Sequence, residues 1–170
     1  MTTAVVIGVG NEYRRDDGIG PALVAALEDR WLPAVKLIGS DGEPARLIDD
    51  WAGVPLAIVV DAVLCDPSTP GEFYRTEVPL DHPGAAPSAP TEPPGAGAHP
   101  HSAGSHSLGI PDALRLGQAV ERLPGRLVVY AVEAADVSFG TEFSAPVAAA
   151  LPRLVDAVLT ELKSARTVAR

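Results

Sequence analysis

Apolar positions along this chain change period in a regular way. Residues 3–9 and 56–63 are near-continuous apolar runs rich in valine and isoleucine. Runs of that length and composition predict strands buried on both faces. Between them Ile19, Leu23, Leu27 and Trp31 recur at helical spacing, with Asp16 or Asp17 placed to cap a helix and Pro21 in its first turn. A short strand over residues 35–40 and a helix from about 44 to 51 complete a β-α-β-α-β order. That order predicts parallel strands with helices on both sides of the sheet.

Beyond Asp66 the pattern changes. Residues 67–71, Pro-Ser-Thr-Pro-Gly, read as a turn, and 72–78 alternate in the manner of an edge strand, one able to run antiparallel. Residues 79–104 hold seven prolines and four glycines in 26 positions, which predicts a long surface loop and no core element. Order resumes with a helix over 109–123, a strand over 126–133 and a last helix over 144–163. Pro152 falls inside that last helix, so a kink there or a start nearer Ala149 is expected. There is no internal repeat. One domain over residues 1–170 with the Pro/Gly loop inserted is the expected organisation.

Composition narrows the function classes. A net charge of -9 argues against nucleic acid as a partner, because phosphate backbones are held by many Lys and Arg contacts. No basic region precedes the first apolar run, and no stretch approaches the roughly 20 apolar residues of a membrane span; a soluble cytoplasmic protein is expected. The single cysteine, Cys65, excludes an internal disulfide and a zinc site built from several thiolates. Four histidines, His82, His99, His101 and His106, fall within 25 residues. The first three lie in the Pro/Gly stretch, where a loose backbone holds ligands poorly. His106 stands where the next helix begins, so its position can be fixed.

Four constellations carry candidate chemistry. Gly8-Val9-Gly10-Asn11 follows the first strand in the manner of a dinucleotide turn, but the third glycine of that fingerprint would fall where Tyr13 stands. In Asp16-Asp17-Gly18-Ile19-Gly20, one carboxylate suffices to cap the helix and the other is free to face a cleft. Asp61 closes a buried parallel strand, at the crevice where open α/β sheets place ligands. If the first and third strands are parallel neighbours, Asp17 and Asp61 emerge on the same edge. With His106 they would form an open O/O/N site for a borderline divalent metal. Competing nucleophiles fare worse: Cys65 has no histidine and orienting acid nearby in sequence, the serines lack a G-x-S-x-G elbow, and HExxH is absent.

Gly8-Val9-Gly10-Asn11, then Asp16-Asp17-Gly18-Ile19-Gly20, then Val60-Asp61-Ala62, then His106-Ser107-Leu108-Gly109 together resemble the hydrogenase maturation proteases. These endopeptidases process the large subunit of nickel-iron hydrogenases. The resemblance spans nearly the whole chain. It implies a three-layer α/β/α sandwich with a twisted, mostly parallel five-stranded sheet. It also implies that Asp17, Asp61 and His106 are the catalytic and metal-contacting residues, with Asn11 and Asp41 toward the substrate. The metal would be nickel carried in by the large-subunit precursor, whose C-terminal extension is removed after nickel insertion by a monomeric enzyme. One departure is Asp41-Gly42-Glu43-Pro44, where the family commonly has Asp-Gly-Gly-Thr. The competing reading is a non-catalytic metal-sensing chaperone that docks a metalloprotein precursor without cutting it.

Overall fold

A computed structural model of the chain describes residues 1–80, 99–101 and 109–168. Its strands are β1 (Ala4–Val9), β2 (Val35–Ser40), β3 (Leu56–Asp66), β4 (Phe73–Val78), β5 (His99–His101) and β6 (Arg126–Glu133). Its helices are α1 (Ile19–Glu28), α2 (Pro44–Trp51), α3 (Gly109–Ala119) and α4 (Ala145–Val168). The main sheet has the order β2-β1-β3-β6-β4. Its first four strands are parallel, and β4 runs antiparallel along the β6 edge. The expected five-stranded, mostly parallel sheet is therefore present.

Strand alternation divides the core into two layers. Val6, Ile58, Val60, Val128 and Tyr130 face α1 and α4, while Val5, Ile7, Ala57, Val59 and Leu127 face α2 and α3. Successive residues of one strand thus feed opposite sides of the sheet, so β1 and β3 read as continuous apolar runs. Sheet and helix approach closely at Gly8 and Gly20. A Cβ on Gly8 would lie 2.1 Å from the Gly20 carbonyl oxygen, and one on Gly20 would lie 2.4 Å from that of Val9.

Several boundaries differ from the sequence reading for local reasons. α1 ends at Glu28, which leaves Trp31 outside the helix and 87% exposed, not on its apolar face. α3 stops at Ala119 instead of 123. Glu121 takes a left-handed backbone (φ 55°) and the Arg122 N–H reaches back to the Gly117 carbonyl at 2.7 Å, which closes the helix end. α4 starts at Ala145 and runs to Val168 with Pro152 inside it, so the later start is not taken. β3 extends to Asp66, three residues past the expected end, because Leu64–Asp66 pairs with β5. The tripeptide His99–His101 is therefore a strand, where the whole Pro/Gly stretch was expected to be loop. Among the described residues no helix is long and apolar enough to cross a membrane.

Candidate active site

The turn after β1 is built to bring an acidic side chain back toward the sheet. Gly10 has φ +142°, and a Cβ there would lie 1.9 Å from the Asp17 carbonyl oxygen. Only glycine lets these two backbones meet. This close approach to the chain's own backbone accounts for a glycine that otherwise suggests a dinucleotide turn. A 3-10 turn over Arg15–Gly18 then delivers Asp17, which is 5% exposed, and its Oδ2 accepts the Asn11 N–H at 2.9 Å.

The adjacent aspartates have different tasks, and neither caps α1, whose N-cap is Gly18 without a side-chain hydrogen bond. Asp16 is fully buried and takes four donors from a segment more than a hundred residues away. Its Oδ2 accepts the N–H groups of Ala135 (2.8 Å) and Asp136 (3.1 Å) and the Ser144 hydroxyl (2.8 Å), and its Oδ1 accepts the Ser144 N–H (2.7 Å). Ser144 immediately precedes α4. Asp16 thus places its charge at the N-terminal end of a long helix, where backbone donors and the helix dipole favour an anion.

Asp61 stands in β3 one residue beyond the last β1 pair, Gly8↔Val60, while its β6 pairing continues through Asp61↔Ala131. It is therefore inside the strand, not at its end as expected, but at the point where β1 has turned away. Its side chain is 3% exposed, and Oδ1 has no hydrogen-bond partner among the described residues. Burial, and next the charge of Asp17, push its carboxyl up from 3.8 to about 7, against an opposing pull from the Ala62 N–H. A dry carboxylate oxygen without a donor, beside a second carboxylate, suits a proton or a cation. The oxygen donors of Asp17 and Asp61 are of a kind that fits a divalent metal.

The remaining site candidates divide by location. Asn11 is exposed, and its Oδ1 accepts the Tyr13 N–H at 2.9 Å. Asp41 is exposed in the β2–α2 connection on the same sheet edge, where its Oδ1 accepts the Glu43 N–H at 3.2 Å. Glu43 in turn caps α2 by accepting from the Ala45 and Arg46 N–H groups. His106 and His82 lie outside the described residues. The described chain resumes three residues after His106 at Gly109, where a Cβ would lie 2.0 Å from the Gly42 carbonyl oxygen. The start of α3 is thus seated against the loop that carries Asp41. Among the described residues no group of three or more His, Cys, Asp or Glu side chains is arranged to hold a metal ion; Asp17 and Asp61 make two.

Two buried acids escaped the sequence reading, Glu133 and Glu161, and Glu161 is paired with Arg75 at 2.6 Å. Glu133 ends β6 and is buried, with Oε2 accepting the Thr69 N–H at 2.5 Å and Oε1 the Tyr74 hydroxyl at 2.6 Å. The rule that singles out Asp61, an acid closing an apolar parallel strand, applies equally to Glu133 and would have found it. Burial and the Glu133 carboxylate together push the Cys65 thiol up to about 11. A thiol held protonated is a poor nucleophile, which agrees with the low standing of Cys65 in the sequence.

No protein-family model and no curated protein matches this chain. Solved structures do. It is similar to the hydrogenase maturating endopeptidase HybD from E. coli, at 23% identity and a TM-score of 0.75 over 96% of this chain and 93% of that one. It is similar to the [NiFe] hydrogenase maturation protease HybD from Thermococcus kodakarensis at 21% identity and a TM-score of 0.67, over 95% of this chain and 99% of that one. A hydrogenase 2 maturation peptidase from a Thaumarchaeota archaeon gives 22% identity and a TM-score of 0.64, over 95% and 98%. Over nearly its full length, this chain has the fold of solved hydrogenase maturation endopeptidases.

Proposed function

We propose that this protein is an endopeptidase of hydrogenase maturation, which removes the C-terminal extension of a nickel-iron hydrogenase large-subunit precursor once nickel is in place. The observation that carries the reading is the pair of buried carboxylates, Asp17 and Asp61, at the carboxyl edge of a fold shared with such endopeptidases, with one Asp61 oxygen lacking any donor among the described residues. A buried carboxylate such as Asp61, one oxygen of which lacks a donor among the described residues, is costly unless a positive charge arrives with the partner. We propose that the charge is the nickel carried by the precursor, contacted by Asp17, Asp61 and His106, with Asn11 and Asp41 bordering the bound polypeptide.

The chain's own contribution is positional and protolytic. Asn11 and the 3-10 turn hold Asp17 in place through its Oδ2. Before a cation arrives, Asp61, with its carboxyl near 7, holds a proton for part of the time at neutral pH. Contact between one of its oxygens and a cation would favour the carboxylate, which could then take a proton from an attacking water and return it to the leaving amine nitrogen. A bound divalent metal supplies Lewis-acid polarisation of an oxygen.

The test is to incubate the purified protein with nickel-loaded and nickel-free precursor and follow the precursor by mass spectrometry. Loss of the extension from the loaded form alone, abolished by Asp61→Ala, is expected. Inertness toward both forms would overturn the reading. A stable complex without mass loss would establish the docking-chaperone alternative.

A further inference from the structure

Tyr13 and Phe139 are exposed aromatics, at 55% and 85%, on two loops that meet beside the acidic pair. Exposed apolar side chains scattered singly are ordinary. These two are not scattered, because the loops are bonded together along their length. The Gly140 N–H donates to the Tyr13 carbonyl (2.9 Å), Arg15 N–H to the Gly140 carbonyl (2.9 Å) and Asp16 N–H to the Asp136 carbonyl (3.0 Å). Asp16 adds its four side-chain acceptor bonds to the same junction. Arg15 is held in a left-handed backbone (φ 44°), a strain that persists only where surrounding bonds enforce it. The aromatics therefore stand on a stiff ridge.

The ridge is also tied to the site. Tyr13 N–H donates to Asn11 Oδ1, and Asn11 N–H donates to Asp17 Oδ2, so two hydrogen bonds connect the ring's own backbone to the acidic carboxylate. Charge narrows the occupant. Exposed Glu12, Asp136 and Glu142 border the same two loops, and the whole chain carries -9; of the two cations there, Arg15 is paired with Asp136 at 3.5 Å and Arg14 donates to the Val137 carbonyl at 3.2 Å. Glu12 and Glu142 keep a modest acidic excess at this border, which a segment bearing apolar side chains and no excess of acidic ones fits.

We propose that Tyr13 and Phe139 form the substrate-contacting ridge of the site and bind apolar side chains of the polypeptide next to the bond that is cut. This rests on the endopeptidase reading for the identity of the polypeptide. Rigid, pre-placed aromatics lose little freedom on binding, which is why they serve as anchors in interfaces.

The experiment uses the full chain and the nickel-loaded precursor with two readouts. One is processing kinetics; the other is binding of the precursor to the Asp61→Asn protein by biolayer interferometry. Tyr13→Ser and Phe139→Ser are each expected to raise KM and Kd about tenfold, equivalent to about 1.4 kcal/mol, with kcat within about twofold. Trp31→Ser removes an equally exposed aromatic beyond the end of α1 and is expected to change neither. Unchanged KM and Kd in both ridge variants would overturn the ridge and leave the endopeptidase reading standing. Binding that depends on the ridge without any processing would uphold the ridge and overturn that reading, whereas a wild-type protein that neither binds nor processes the precursor would overturn both.

Discussion

Asp61→Asn should make this protein more stable while removing its proposed activity. Asn is nearly isosteric with Asp but cannot ionise, so the change isolates the cost of burying the charge. Burial and Asp17 raise the Asp61 carboxyl from 3.8 to about 7; at 1.36 kcal/mol per pH unit, the ionised form is about 4 kcal/mol less favourable in the folded chain than in the unfolded one. Below about pH 4 both states are protonated and the penalty vanishes. Between 3.8 and about 7 the folded state holds a proton that the unfolded state has released, so wild-type stability falls as pH rises. Above about 7 the penalty is complete and constant. Urea unfolding of both proteins from about pH 4 to 8, with a chelator present, should give a stability difference that is smallest in acid and grows by about 2 to 4 kcal/mol toward pH 8 in favour of the variant. Groups that titrate alike in both proteins cancel in that difference. A difference independent of pH would refute the argument, because it would mean that Asp61 ionises in the fold as readily as in the open chain.

Three further outcomes follow from other contacts. Asp16→Asn substitutes an NH2 group for one acceptor that now faces N–H or O–H donors, so thermal unfolding should show a loss of about 3 kcal/mol; a loss below about 1 would show that the four bonds are dispensable. Gly20→Ala drives a Cβ to 2.4 Å from the Val9 carbonyl oxygen and 2.8 Å from that of Val60, both backbone atoms, so it should cost about 3 kcal/mol or leave no cooperative unfolding transition. A variant with wild-type stability would contradict the close approach of α1 to the sheet. Glu133→Gln removes the charge beside Cys65, and the thiol should fall from about 11 toward its ordinary 9.0, read from the pH dependence of its alkylation rate. An unmoved profile would assign the whole elevation to burial.

What the sequence reveals here depends on whether a feature is encoded locally. The strands of the parallel sheet are legible because each is buried on both faces and so is continuously apolar, as in Ala4–Val9. The convergence of Asp17 and Asp61 is legible one step later, because parallel neighbours send their carboxyl ends to one edge and β1 does pair with β3. The fate of Asp16 is not legible. A carboxylate before a helix reads as a cap, and nothing nearby in sequence announces that its donors are Ala135, Asp136 and Ser144. Trp31 misleads for the opposite reason: it continues the helical spacing, but α1 ends three residues earlier at Glu28. The short β5 strand likewise depends on the extension of β3, a partner that composition does not contain.

The division of labour between Asp16 and Asp17 explains how an unfavourable site can persist. Asp17 and Asp61 are both buried, and the charge of Asp17 helps to raise the Asp61 carboxyl, so ionising Asp61 works against the packing of the β1–α1 turn on the sheet. The turn could relieve this by swinging into solvent, since Asn11, Glu12 and Tyr13 are already exposed. Asp16 prevents that movement. Hydrogen bonds to a buried charged acceptor contribute about 1.5 to 3 kcal/mol each, and Asp16 has four. Two of the stronger ones are enough to offset the about 4 kcal/mol that ionising Asp61 costs. The neighbouring carboxylate that reads as a helix cap in the sequence therefore anchors the turn on which Asn11 holds Asp17. Neutralising Asp61 should relax the demand on Asp16, so the Asp16→Asn change should cost less in an Asp61→Asn background than in the wild type at about pH 8, and this saving should disappear at about pH 4.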